Sequence, residues 1–399
     1  VFANRYVRTI ILSRVFLQLG VWIRNFAVLL YVTEKTNNDS LYVSLISVVE
    51  FAPIFLFAIV GGTFADRWKP KRTMVWSDLL STISVLAVLL ALVMGEWYAL
   101  LLGTLISASL SQFSQPSAMK LYKKHVASEQ LQSVMALSQS LLAIFTIVGP
   151  MIGVFIFMQF GIQVSLMLTF LFFLISAIIL SLLLRDTEEV KQRKAGSFMA
   201  EMKAGIRYVW SNRSLRTLGA TFAASGLAAG MIQPLMIFIT IENLGQDKSF
   251  MQWFLMTNGA AMLIGGAAIM SVAKKVKPQA LLAVGLLVSA ICTVAVGASK
   301  ILVLSFALQA ISGLFYPCVQ VGIQTLLMKN TEPAYMGRVG GAITPIFMGM
   351  MVVGMSISGY MKDVSSLFVV YALSGCLLVV GALILVPILN EKRARVENF

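Results

Sequence analysis

Long apolar runs separated by short polar punctuation dominate the chain. They fall near 7–32, 41–63, 74–95, 98–118, 131–157 and 162–184, and, after a polar stretch, near 215–241, 251–273, 279–297, 301–327, 339–361 and 366–389. Each run is about the 20 residues a helix needs to cross a bilayer. A backbone in hydrocarbon must satisfy its own hydrogen bonds, which selects helix for runs of this kind. The pattern predicts an all-α membrane protein of twelve transmembrane helices in two six-helix pseudo-repeats. Residues 1–184 form the first bundle, 185–214 a linker, and 215–399 the second bundle with a short tail. Within the linker, 185–196 is charged and reads as solvated. Phe198, Met202, Ile206 and Val209 then recur at helical spacing beside Lys203 and Arg207, which predicts an amphipathic helix along the membrane surface.

Composition agrees with the pattern. Of the 399 residues, 58% are hydrophobic and 12% charged, against about a quarter charged in soluble domains. The net charge of +14 would suggest nucleic acid if it were clustered, but it follows alternate loops. All but six of the 31 Lys and Arg fall in the terminal segments and the loops of one face. The exceptions are Lys35, Lys248, Lys300 and Lys362 on the other face, and Arg14 and Arg24 inside the first run. This asymmetry puts both termini in the cytoplasm. No cleavable leader is legible before the first run, which is expected to be a retained span. Cys292, Cys318 and Cys376 lie inside apolar runs and are expected to be small core residues, not disulfide partners.

Charge inside the runs is where chemistry is expected. Glu50 is the one acid well inside a predicted span, and a carboxylate there must be paired, protonated or open to a water-filled cavity. At about 1.5 Å per residue, Arg24 lies at a similar depth on the preceding, antiparallel helix. If the two face one another, they form either a proton-driven switch or a fixed ion pair. Arg14, Gln18 and Asn25 share a stripe of the first helix and are candidate cavity residues, although Arg14 can also snorkel to the surface. Ser111, Gln112 and Gln115 make the fourth run too polar to face lipid. They line the cavity or bond neighbouring backbone. The second half has no mid-span charge and offers Gln233, Asn258, Gln309, Tyr316 and Gln320, with Met348, Met350, Met351 and Met355 as adaptable contacts. No nucleophile–base arrangement or metal cluster accompanies the lone His125, which argues against an enzyme and a metal site.

Between the second and third runs, Gly62, Asp66, Arg67, Lys71 and Arg72 resemble the loop motif of the major facilitator superfamily. Lys69-Pro70 stand where Gly-Arg is usual. Gly149-Pro150-Met151-Ile152-Gly153 resembles the end of that superfamily's antiporter motif. Further pieces resemble the macrolide-efflux branch of twelve-span drug:proton antiporters, which includes enterobactin-type siderophore exporters. They are Tyr31–Thr36, Glu50-Phe51-Ala52-Pro53, Ser128–Leu131 with Ser138–Ser140, Phe198–Tyr208 and Tyr335–Val339. Ser107 stands about where many antiporters carry an Arg, and Val21 where many relatives carry an acid.

The resemblance implies a major facilitator fold and alternating access by two rocking bundles. The expected function is proton-coupled export of small amphipathic compounds such as drugs or macrolides. The alternatives are a dedicated exporter of a siderophore or other metallophore and, less favoured, a lipid flippase. Glu50 and Arg24 are the expected proton-coupling pair. Gly62, Asp66, Arg67, Lys71, Arg72 and Asp78, with Gly149, Pro150 and Gly153, are the expected gating residues. The expected setting is a bacterial inner membrane. The expected partners are the small-molecule substrate, protons and lipid, for a monomer with no cofactor beyond the proton gradient.

Overall fold

A computed structural model describes residues 4–65, 69–183, 197–272, 276–332 and 336–385. Among these residues the regular structure is helical. The helices are α1 (Arg5–Lys35), α2 (Ser40–Ala65), α3 (Pro70–Val93), α4 (Ala99–His125) and the stretch Ser128–Ser181. That last stretch breaks at Gly161, whose φ of 75° and ψ of −175° are not helical, into α5 (128–160) and α6 (162–181). Then come α7 (Ser197–Ser211), α8 (Arg213–Ile232), α9 (Met251–Val272), α10 (Pro278–Ala298), α11 (Leu302–Asn330), α12 (Met336–Val364) and α13 (Leu367–Ile384). Beyond α8 the chain breaks at Pro234 into a short turn, Met236–Phe238, and a π-helical turn, Ile239–Asn243. Nine apolar helical stretches among the described residues are long enough to span a membrane, with Glu129–Ser181 counted as one.

Contacts divide the chain into two compact units, one of Val1–Asn38 with Val49–Ser197, the other of Asp39–Val48 with Phe198–Phe399. In the first unit, α1 is packed tightly along α5 and α6 because small residues face it. A Cβ at Gly149 would overlap the Trp22 indole, and one at Gly153 would lie 2.7 Å from the Trp22 carbonyl. On α1 itself, Gly20 makes room for Phe173, 2.6 Å from where a Cβ would stand. Such close backbone approach is the usual means of helix association in lipid, where burial supplies no drive. At one end of this unit Val7, Ile10, Met74, Leu121, Val134 and Leu180 form a packed cluster.

In the second unit the same device recurs. Gly226 and Gly230 of α8 lie against the α12 backbone at Phe347 and Met351. Val209 of α7 is buried with Leu215, Leu326, Val339 and Ala342. The start of α2 belongs to this unit: Ser40 Oγ donates to the Gly359 carbonyl at 3.0 Å and bonds Asp363, and Ser44 pairs with Ser358 at 3.0 Å. Nearby, Lys362 forms an ion pair with Glu242 at 2.7 Å and sits over the Phe238 ring.

The three cysteines are free. Cys292 is buried, but Cys376 is exposed on α13, contrary to the expectation of a core position. Met351 and Met355 are buried and serve packing.

Candidate functional site

Arg24 and Glu50 meet through an intermediary. Arg24 is 4% exposed, and its Nε and Nη2 donate to Asn25 Oδ1 at 3.1 and 2.8 Å. The amide of Asn25 then donates from Nδ2 to Glu50 Oε1 at 2.5 Å. Among the described residues Arg24 and Glu50 are joined through Asn25 and not by a direct hydrogen bond. The chain runs guanidinium, amide, carboxylate, because consecutive side chains of α1 diverge by about 100° and, of these two, Asn25 is the one that bonds α2. An amide polarised by a cation at its oxygen becomes a stronger donor at its nitrogen, so the hydrogen bonds at the two ends of the bridge strengthen one another. Arg24 Nη1 has no hydrogen-bond partner among the described residues. Arg24 also lines a cavity of about 10 Å3 with Thr104, Gly103 and apolar side chains, the size of a single water. Glu50 is partly exposed.

A second polar centre lies about ten residues along α1. Arg14 Nη2 donates to the Ser114 carbonyl at 2.9 Å and to its hydroxyl at 3.2 Å. Asp78 of α3 lies within electrostatic reach of Arg14, is 3% exposed and accepts from Ser176 Oγ at 2.6 Å. Asp78 thus ties α3 to α6 inside the bundle. Arg14, Gln18 and Gln115 do come together, lining a cavity of about 40 Å3 with Tyr122 and Ser138. That is well below the about 300–1,000 Å3 of drug-sized sites.

The remaining candidates sort by what they bond. Ser111 and Gln112 turn back on the Ala108 carbonyl of their own helix. Asn258 donates to the Gln309 carbonyl at 3.1 Å, joining α9 to α11. Gln320 donates to the Tyr316 hydroxyl at 2.6 Å, and both are exposed on one face of α11, while Gln233 is exposed at the end of α8.

Of the loop motif, Asp66 and Arg67 lie outside the described residues, and Gly62 falls in the last turn of α2. Lys71 caps the far end of α6, donating to the Ser181 carbonyl at 2.9 Å and to that of Leu183. Arg5 adds a bond to the Leu182 carbonyl at 3.0 Å. Cations at a helix C-terminus answer its unpaired carbonyls and dipole. Arg72 is exposed, Gly149 and Gly153 form the α5 face against α1, and Pro150 is buried inside α5. Sequence reasoning missed the bridging amide and the Ser176 partner of Asp78. The adjacency of Arg24 and Asn25 was the available signal for the first.

Known proteins bear on this arrangement. The sequence model of the Major Facilitator Superfamily matches residues 10–355 and 218–399. A protein of Bacillus subtilis named "Uncharacterized MFS-type transporter YkuC" is 24% identical over 87% of this chain and 83% of its own length. Macrolide efflux protein A of Streptococcus pyogenes is 23% identical, covering 93% of this chain and 92% of its own. The multidrug efflux pump Tap of Mycolicibacterium fortuitum is 24% identical over 89% of both chains. Among solved structures, a POT family transporter in complex with a thioalcohol-conjugated peptide superposes with a TM-score of 0.77 at 10% identity, over 96% of each chain. The human organic anion transporter MFSD10 gives 0.67 at 14% identity, over 96% of this chain and 99% of its own. The fold is that of a transporter embedded in lipid and handling small molecules, not of an enzyme, and the chain belongs to the Major Facilitator Superfamily.

Proposed function

We propose that the chain exports small amphipathic compounds in exchange for protons, with Glu50 as the proton carrier. The observation that carries this reading is the bridge from Glu50 through Asn25 to Arg24. Among the described residues the Glu50 carboxylate has one charged neighbour, Arg24, and gaining a proton cancels that partnership without breaking any covalent or metal link. The relatives named for macrolide and multidrug efflux support the direction and cargo class. The metallophore alternative gains no such support.

In this reading the first unit handles the proton, and the second supplies adaptable contacts such as the exposed Tyr316–Gln320 pair. The segment from Gly62 to Arg72, with Asp66 and Arg67, acts as a cytoplasmic latch, anchored by Lys71 and Asp78, which both fasten α3 to α6. Gly149 and Gly153 give α5 the close contact with α1 that a change of access state must preserve, and Pro150 lets α5 bend beside them. The protein acts as a monomer in a bacterial inner membrane with both termini in the cytoplasm.

The test uses everted membrane vesicles with an imposed pH gradient and a macrolide as cargo. Glu50→Gln should be made and inserted at normal levels yet lose proton-driven transport. Transport equal to the unaltered protein's would remove Glu50 from the mechanism.

A further inference from the structure

The start of α3, where the proposed latch ends, also presents an amphipathic groove. It measures about 510 Å3 and is lined by Lys69, Arg72, Thr73, Trp76, Ser77, Leu80, Leu110 and Phe113. Its polarity is graded along the helix. Lys69 and Arg72 stand at the mouth, and Trp76 and Leu80 follow Arg72 at successive helical turns, 58% and 43% exposed. From α4, Leu110 and Phe113 close the other wall, and Phe113 is held edge-on by Phe57 with ring centroids 4.8 Å apart.

A third feature points to the same ligand. Among the described residues no side chain caps the N-terminus of α3, with Lys69 at the cap position and Pro70 following. The first turn of a helix offers unpaired N–H groups and a positive dipole end, a natural anion seat. Here two cations flank it. A Trp one turn below a cationic mouth is the side chain that sits at headgroup depth, with apolar residues deeper still.

We propose that this groove binds an acidic phospholipid of the surrounding leaflet. The phosphate rests between Lys69, Arg72 and the first turn of α3, and an acyl chain lies along Trp76, Leu80, Leu110 and Phe113. A neutral phospholipid satisfies the apolar wall but leaves the two cations without an added counter-charge. Each basic residue near a charged membrane surface adds about 1 kcal/mol, about a fivefold gain in occupancy per cation.

The experiment reconstitutes the full chain into phosphatidylcholine vesicles containing a small fraction of brominated lipid, either phosphatidylglycerol or phosphatidylcholine, and reads tryptophan quenching. The Trp76 signal is the difference between the unaltered protein and Trp76→Phe. Brominated phosphatidylglycerol should quench Trp76 at a mole fraction at least tenfold lower than brominated phosphatidylcholine. Lys69→Gln/Arg72→Gln should abolish that preference while Trp76 stays quenchable by either lipid. Adding soluble glycerol phosphate should not displace the lipid. Equal quenching by the two lipids, a preference unchanged in the double variant, or displacement by soluble phosphate would each overturn the proposal. The readout involves no transport, so its outcome is independent of the fate of Glu50.

Discussion

Removing the charge at either end of the Arg24–Asn25–Glu50 bridge, and then at both, tests whether the bridge transmits charge. Hydrogen bonds of 2.8 and 2.5 Å on the two ends of one amide put guanidinium and carboxylate about 6–7 Å apart. At that separation and an effective dielectric of about 20, the attraction is about 2.5 kcal/mol. Arg24→Gln alone leaves the partly exposed Glu50 carboxylate without its cation, and Glu50→Gln alone leaves the buried cation without its carboxylate. Each single change should cost about 2.5 kcal/mol, the attraction lost. The double variant should be less damaged than the sum of the two by about 2.5 kcal/mol. Denaturant unfolding of the purified proteins in mixed micelles, followed by fluorescence, gives the four free energies of the cycle. Single effects that add to within about 0.5 kcal/mol would refute the reasoning, because charge at one end would then be invisible at the other.

Other positions give independent tests. Gly149→Ala places a methyl in the Trp22 ring and should cost about 1–3 kcal/mol, and that cost should shrink when the same change is made in a Trp22→Ala background, as read by thermal unfolding. Gly161→Ala meets no neighbouring atom, so its cost is conformational, about 1–3 kcal/mol for a side chain forced into that φ/ψ region; an unchanged melting temperature would show that the break survives in another geometry. Asp247 caps the turn before α9, and hydrogen bonds from the Ser249 hydroxyl and amide hold its carboxyl below the usual value of 3.8. A depressed carboxyl favours the folded loop above the unfolded pKa and loses that effect as the pH falls through the folded value. Proteolysis of this loop should therefore be pH-independent near neutrality and accelerate below about pH 4, a change that Asp247→Asn removes.

Much of the fold is legible in apolar run length alone. The run near 7–32 becomes α1, and the gap between the runs near 131–157 and 162–184 falls at Gly161, where the backbone leaves the helix. The run near 215–241 did not reveal its break at Pro234 or the π-helical turn beyond it, because periodicity within an apolar stretch carries no information about which carbonyl an amide will choose. For the site, depth counting brought Arg24 and Glu50 to the same level, but depth fixes only one coordinate. Whether Arg24 or Asn25 crosses to α2 depends on rotation about the helix axis, which a residue count leaves open by tens of degrees. Asp78 was read from its place near a helix end, and its Ser176 partner, 98 positions away, has no local signal at all.

Helix α4 carries a lesson about what counts as polar in a membrane. By composition it is among the wettest helices of the chain, and it falls outside the set of apolar stretches long enough to span a bilayer. Yet the hydroxyls of Thr104, Ser109, Ser111 and Ser117 each donate to a carbonyl three or four residues back, at 2.7–2.8 Å. Such a hydroxyl has spent its proton on its own helix and asks little of its neighbours. Hydropathy scales debit every serine as though it still wanted water, and so they overstate the thirst of a segment whose donors are already occupied.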